Sequence, residues 1–137
     1  MTDATALDQL RASLTAEARP TDFCIERCAL AGAQAAPPHV RAGGVLTVEL
    51  GLRGGTAATV QAHLFDASTG RRLPAPTLLD GERRDAARPE GTRLRVALPL
   101  ALRPGRAVLV MEARRRDTAV AGGELVVEVE GALRAQA

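Results

Sequence analysis

Few side chains in this sequence could carry out a reaction. The chain has no Lys for a Schiff base and no Tyr to act as an acid. Its two serines, Ser13 and Ser68, lack the Gly-x-Ser-x-Gly context of a nucleophile elbow. The sequence also contains no phosphate-binding loop and no dinucleotide fingerprint. We therefore expect a protein that is not an enzyme.

Two cysteines and two histidines form the one set that could hold a metal or supply a nucleophile. Cys24 and Cys28 are separated by three residues, and His39 and His63 lie further along the chain. On a strand, the two sulfurs would lie about 13 Å apart, too far to share an ion. We predict no metal and no cofactor. A small enzyme that uses Cys24 or His63 is the third functional hypothesis.

The arginines are the most prominent candidates for binding. All 18 basic residues are Arg, and twelve of them lie within residues 71–116, where they outnumber the acids by seven. Side chains two positions apart share a face of a strand, as Arg93 and Arg95 would. Such a patch attracts phosphates or an acidic partner. The candidate partner-binding residues are Arg93, Arg95, Arg114, Arg115 and Arg116.

The composition favours a protein partner over nucleic acid. Surfaces that bind nucleic acid usually add aromatic side chains on which bases stack. The only aromatic residues here are Phe23 and Phe65. We expect an acidic protein partner. The alternative is a solvated arginine-rich face that Glu128 and Glu130 balance across the sheet.

The elements that position these residues are mostly strands. Apolar and polar residues alternate with period two in residues 45–53, 58–65 and three stretches between residues 92 and 130. The last three predict neighbouring strands of one antiparallel sheet, and Gly122-Gly123 predicts the final turn. The alternation turns His63 outward into solvent. Residues 32–44 read as a loop, and a short edge strand is predicted near residues 77–79.

Residues 22–31 fit either a helix, with Cys24 and Cys28 one turn apart, or a strand, with Cys24, Cys28 and Leu30 on one face and Phe23 and Ile25 on the other. We favour the strand, because the sheet needs a first member here. The chain therefore has six or seven strands. This count predicts a mainly β fold, an immunoglobulin-like antiparallel β-sandwich with one N-terminal helix. A closed barrel is the alternative.

The helix is predicted over residues 3–18, with Thr2 or Asp3 as its cap. Leu7, Leu10 and Leu14 form one apolar stripe on it. The stripe docks either on the protein's own sheet or on a partner, which includes a homodimer through the helix. We expect a single domain over residues 1–137, with the helix at 3–18 and the sandwich at 22–130.

The N-terminus lacks the basic start and apolar core of a signal peptide. No stretch approaches the roughly 18 apolar residues that a membrane span needs. We expect a cytoplasmic protein without membrane contact, from a bacterial genome rich in G and C. The alternative is a domain cut from a longer protein.

Two stretches have distinctive turn motifs. One is a mid-domain turn, Phe65-Asp66-Ala67-Ser68-Thr69-Gly70-Arg71-Arg72-Leu73, and the second is a turn before the last hairpin, Leu98-Pro99-Leu100-Ala101-Leu102-Arg103-Pro104-Gly105-Arg106-Ala107-Val108-Leu109. These motifs resemble those of a known family, the glycan-binding C-terminal β-sandwich domains of O-antigen ABC-transporter ATPases. The second has Ala107 where that family favours Tyr. The resemblance covers roughly residues 22–130 and implies an accessory β-sandwich domain.

Together these observations predict a non-catalytic interaction module. It would bind a protein partner through an arginine-rich sheet face or an edge strand. The resemblance implies the alternative, an accessory domain that binds a glycan or a small ligand.

Overall fold

The structure is a computed structural model that describes residues 4–17, 23–33, 36–79, 92–116 and 119–131. These ranges hold one helix and eight strands, which form two four-stranded sheets. In chain order the elements are α1 (Ala6–Glu17), β1 (Cys24–Leu30), β2 (His39–Arg41), β3 (Val45–Arg53), β4 (Thr59–Asp66), β5 (Thr77–Leu78), β6 (Thr92–Ala97), β7 (Gly105–Arg114) and β8 (Val120–Glu130). The first sheet has the order β1-β3-β6-β5 and the second sheet the order β2-β8-β7-β4.

The strand order is that of an immunoglobulin-like sandwich. In that fold, strands A, B, E and D form one sheet and strands C, F and G belong to the other. Here β1, β3, β6 and β5 take the first set of places, and β4, β7 and β8 take the second. The short β2 joins the second sheet by pairing in parallel with β8. The predicted fold class is therefore confirmed.

The main core lies between the two sheets and follows the predicted alternation. On β3, Leu46, Val48, Leu50 and Leu52 all point inward and are at most 9% exposed. Leu94 and Val96 of β6, and Leu64 of β4, complete the same apolar cluster. Burial of each such side chain stabilises the fold by roughly 1.5–3 kcal/mol.

Helix α1 covers the outer face of the second sheet. Leu7 is 5% exposed and packs in a separate apolar cluster with Phe65, Val108 and Val110. The partly buried Leu10 and Leu14 border this cluster. The leucine stripe therefore docks on the protein's own sheet, the first of the two alternatives. As a result, β7 is buried on both of its faces.

The start of α1 is fixed by a capping box at Thr5. The Thr5 hydroxyl accepts a hydrogen bond from the backbone N–H of Asp8 (3.1 Å), and the Asp8 carboxylate accepts one from the Thr5 N–H (3.3 Å). The helix therefore begins at Ala6, and the predicted start at residue 3 is wrong. The predicted caps, Thr2 and Asp3, lie outside the described residues.

The turn after β4 supports the same end of the helix. Asp66 Oδ1 accepts hydrogen bonds from the Ser68 hydroxyl (2.7 Å), the Ser68 N–H (2.8 Å) and the Thr69 N–H (3.1 Å). These bonds, led by that of the hydroxyl, lower the pKa of Asp66. The turn closes with Gly70 at φ 71°, and its carbonyl accepts a bond from the Leu7 N–H (3.0 Å).

The strands after residue 92 do not form one sheet, contrary to the sequence-based prediction. Strand β6 pairs with β3 and β5, whereas β7 pairs with β4 and β8. The chain crosses between the sheets after β6, and Leu98 and Leu102 anchor this crossing in the core. Alternation identifies the faces of one strand but not its neighbours. The predicted edge strand is confirmed as β5, and β2 lies in the predicted loop.

A β-bulge in β1 changes which residues share its inner face. Ile25 pairs with Leu52 and Arg27 with Gly51, so Glu26 is an extra residue on this strand. Ile25 and Cys28 consequently both pack against the core, although simple alternation places them on opposite faces. A single inserted residue exchanges the two faces of a strand beyond it.

Gly122 and Gly123 lie inside β8 and do not form the predicted turn. A Cβ atom on Gly122 would lie 3.0 Å from Leu14 Cδ1 of the helix. A Cβ atom on Gly123 would lie 3.0 Å from Ile25 Cγ2 and 3.2 Å from Cys28 Cβ. The two glycines therefore let α1 approach β8 from one side and β1 from the other.

This packing predicts that Gly123→Ala destabilises the protein. The new methyl group would meet Ile25 and Cys28, so we expect a loss of about 1 kcal/mol and a fall in Tm of about 4 °C. Thermal unfolding followed by circular dichroism measures this. The control is Gly131→Ala, whose Cβ would lie 3.5 Å from Pro104 at an ordinary contact distance. Equal Tm values for the two variants would contradict the close approach.

Candidate functional site

The outer face of the first sheet carries an exposed group of arginines. Strand alternation points Arg93 and Arg95 of β6 away from the core, because the residue after each of them, Leu94 and Val96, points inward. Arg27 of β1 and Arg53 of β3 point outward from neighbouring strands. We call these four arginines, with Glu26 and Glu49, the arginine face. The side chains of Arg27, Arg53 and Arg93 are 67%, 64% and 73% exposed.

Glu49 lies at the centre of the arginine face, between two cations. One of its oxygens is 2.6 Å from Arg27 Nη2, and the other is 3.7 Å from Arg93 Nη2. Arg53 lies 3.5 Å from Glu26. Among the described residues, this face therefore holds four arginines and two glutamates. Exposed ion pairs of this kind contribute at most about 1 kcal/mol, so an external carboxylate can replace them at little cost.

The structure does not bring the five sequence-predicted arginines together. Arg93 and Arg95 lie on the first sheet, whereas Arg114 lies on the outer face of the second sheet. Arg115 stacks over the Phe23 ring at 5.3 Å and donates a hydrogen bond to the Gly54 carbonyl (2.7 Å). Arg116 is exposed just after β7. The five are close only along the chain, because β6 and β7 belong to different sheets.

Sequence reasoning missed Arg27 and Arg53, which complete the arginine face. They come from β1 and β3, outside the segment richest in arginine. Alternation on β3 could have placed Arg53, since it follows the inward Leu52. The bulge at Glu26 conceals the orientation of Arg27.

The two glutamates expected to balance the arginines lie on the second sheet. Glu128 contacts Arg106 (3.2 Å), and Glu130 contacts His39 (3.1 Å) and Arg41 (3.5 Å). They therefore do not neutralise the arginine face.

A buried carboxylate, Glu112, lies on the outer face of the second sheet. Its side chain is 6% exposed, and its Oε2 accepts a hydrogen bond from Arg114 Nε (2.8 Å). Its Oε1 lies 3.3 Å from His63 Nε2. Arg72 lies 3.4 Å from His63 Nδ1 and stacks over the Phe65 ring at 4.9 Å. These contacts satisfy a buried charge, which would otherwise be costly.

His63 is therefore not the solvated side chain that the sequence predicts. It points outward from β4, as expected, but only 17% of its side chain is exposed. The Glu112 carboxylate and the Arg72 guanidinium pack around it. Cys24 lies on the first sheet and His63 on the second, which separates the two residues of the enzyme hypothesis.

The residues considered as metal ligands are also dispersed. The two cysteines lie on β1, His39 on β2 and His63 on β4. Within the described ranges, no three His, Cys, Asp or Glu side chains gather closely enough to hold a metal ion. Both cysteines are free thiols.

Among the described residues, two clefts border these elements. The larger cleft, of about 510 Å³, lies between the end of β1 and the start of β2. Its polar lining comes from His39, Thr47 and Arg93. The smaller, of about 290 Å³, lies between α1 and β8 and is lined by Cys24, Arg11 and Glu124. There Arg11 donates two hydrogen bonds to the Glu124 carboxylate, from Nε (2.7 Å) and from Nη2 (2.6 Å). In the described part of the chain, no helix has the length and hydropathy of a membrane span.

Comparisons with known proteins identify no family. No family model matches the chain, and no curated protein matches it. Among the solved structures that match is CopC from Methylosinus trichosporium OB3b, at 18% identity and a TM-score of 0.45. The alignment covers 83% of this chain and 99% of CopC. The fold assignment rests on the strand order described above, and the functional argument rests on the residues of this chain.

Removal of the buried carboxylate should destabilise the fold. Glu112→Ala leaves His63 and Arg114 without their common partner, so we expect a loss of about 2–3 kcal/mol in the free energy of unfolding. Glu128→Ala is the matched control, because it removes a more exposed carboxylate from the neighbouring strand and should cost less than about 1 kcal/mol. Urea unfolding measures both. Similar losses in the two variants would contradict the structural importance of Glu112.

The two thiols should differ in reactivity. Burial raises the pKa of Cys28 to about 11. At about pH 8, only about one Cys28 in a thousand is therefore a reactive thiolate, and this fraction grows as the pH rises. Cys24 lines an open cleft. We expect iodoacetamide to label Cys24 first in the native protein, and Cys28 only on unfolding or at high pH. Peptide mapping by mass spectrometry checks this, and equal labelling at about pH 8 would contradict it.

Proposed function

We propose that this protein is a non-catalytic interaction module that binds an acidic partner protein through the arginine face. The observation that carries the proposal is the difference between the two sheets. Helix α1 covers the outer face of the second sheet with a buried apolar contact. In the described residues, the first sheet instead presents four outward arginines, with Arg27, Arg53 and Arg93 largely in solvent.

The chemistry of this face suits carboxylates. A guanidinium group offers several N–H donors in a planar fork and binds a carboxylate through two parallel hydrogen bonds. Each exposed pair is weak, so affinity requires several pairs at once. Surface charges of one sign also speed the encounter with an oppositely charged partner, and salt suppresses this effect. A salt-sensitive protein contact is the expected behaviour.

Strand addition at a sheet edge has less support than binding through the arginine face. Strand β5 has two residues and β2 has three, and β1 is bulged. Residues 71–73 pair with the end of β4, since Asp66 N donates to Arg71 O (2.8 Å) and Leu73 N to Leu64 O (2.9 Å). Short, bulged or covered edges hinder pairing with another chain. We therefore assign binding to the sheet face.

The larger cleft supports the second candidate, a module that binds a glycan or a small ligand. Its volume of about 510 Å³ lies within the usual range of ligand pockets, roughly 300–1,000 Å³. His39, Thr47 and Arg93 converge on it with hydrogen-bonding groups. Its lining residues include no Phe, Tyr or Trp side chain on which a sugar could stack. The protein-binding function therefore has the stronger support.

Loss of positive charge from the arginine face should weaken partner binding. The test variant is Arg27→Gln/Arg93→Gln/Arg95→Gln. The control variant, Arg41→Gln/Arg103→Gln/Arg106→Gln, removes the same charge from exposed positions elsewhere. Immobilised proteins are exposed to a lysate of the native host at low salt, and retained proteins are quantified by mass spectrometry. We expect the wild type and the control to retain the same protein, and the test variant to retain about tenfold less.

Raising the salt from about 0.05 M to about 0.5 M should release that protein from the wild type. Equal retention by the test variant would overturn binding through the arginine face. A ligand that is lost with His39→Ala but kept with Arg27→Gln/Arg95→Gln would favour the cleft instead.

A further inference from the structure

Exposed apolar side chains border the arginine face. Among the described residues, four large hydrophobic side chains are exposed, and three of them lie beside the first sheet. Val45 is 57% exposed, Leu79 45% and Leu100 72%. We call these three side chains the apolar margin. The fourth, Val126, is 41% exposed and lies on the second sheet.

The apolar margin adjoins the arginines through the hydrogen-bonded ladder. Thr47 pairs with Arg95, and Val45 pairs with Ala97 in the next outward row of the same face. Outward rows are about 7 Å apart along a strand. Leu79 flanks Arg95 on the other side, because its backbone N–H donates to the Arg95 carbonyl (2.8 Å). Arg95 therefore lies beside Leu79 and one outward row from Val45.

Leu100 extends the margin beyond the end of the ladder. It lies in the crossing after β6, where Gly43 N donates to the Pro99 carbonyl (3.1 Å). A Cβ atom on Gly43 would lie only 2.7 Å from Leu100 Cδ1. Leu100 thus rests against the turn that leads into Val45, with most of its side chain still in solvent.

These side chains contribute little to the core, since the main cluster is closed beneath them by inward residues such as Leu46 and Val96. Single exposed aliphatic side chains are common on proteins. Three at the border of one charged sheet face form the mixture of apolar and arginine groups that is typical of protein interfaces. An apolar anchor also supplies the affinity that exposed ion pairs lack.

We propose that the arginine face and the apolar margin together bind an acidic, amphipathic segment of a partner protein. This inference rests on the proposed function and specifies its partner. The segment places carboxylates on Arg93 and Arg95, where Glu49 holds Arg93 only loosely at 3.7 Å. It places an aliphatic or aromatic side chain on Val45 and Leu100. Since the two rows are about 7 Å apart, acidic and apolar residues two positions apart on an extended segment match them.

Two synthetic peptides of equal length and charge test the proposal. Both contain two Glu that are two positions apart, and the residue two positions further on is Leu in one peptide and Ser in the other. Binding of the fluorescently labelled peptides to the 137-residue chain is measured by anisotropy. We expect the Leu peptide to bind about tenfold more tightly than the Ser peptide. Val45→Ser/Leu100→Ser should remove this preference and leave the affinity for the Ser peptide unchanged.

Val126→Ser is the matched control, because it removes an exposed aliphatic side chain from the other sheet and should keep the preference. Arg93→Gln/Arg95→Gln should weaken the binding of both peptides. Equal affinities for the two peptides, both dependent on the arginines, would overturn this inference and leave the proposed function standing. Failure of both peptides to bind, or binding that ignores the arginine substitutions, would overturn both. A preference lost in Val126→Ser would also contradict the assignment to the apolar margin.

Discussion

Burial of β7 on both faces is the constraint on which the rest of the structure depends. Its inward residues, such as Leu109 and Met111, close the core between the sheets. Its outward Val108 and Val110 would be left in water if the second sheet were open on that side, and α1 covers them. A strand that is apolar on both sides requires a cover on each side. The helix is therefore part of the fold.

The same constraint makes the two sheets unequal. The outer face of the second sheet is covered by the helix and contains the buried Glu112, so this face contributes to the stability of the fold. The first sheet has outward arginines and threonine where the second has Val108 and Val110, and it is left to interact with solvent or a partner. The division follows from side-chain chemistry, because aliphatic groups gain free energy from being covered and guanidinium groups lose hydration.

The sequence predicted the features that depend on a single strand, namely which residues lie on each of its two faces. Alternation predicted the bounds of β3 and the outward direction of Arg93 and Arg95, because each inward position there is apolar. It could not show that β6 and β7 belong to different sheets, since pairing depends on side chains that are distant in the chain. It also misread Gly122-Gly123, because a local pattern is the same whether glycine makes a turn or admits a neighbour. The arginine face was therefore predicted only in part.

The adjacent glycines of β8 also contact two elements, α1 and β1, that lie on opposite sides of the second sheet. Leu14 of the helix rests on Gly122, and Ile25 of β1 rests on Gly123. The contact with the helix and the contact with β1, the strand that carries Arg27, are therefore only one residue apart along β8. The backbone of β8 therefore fixes the position of β1, at the edge of the arginine face, relative to the helix.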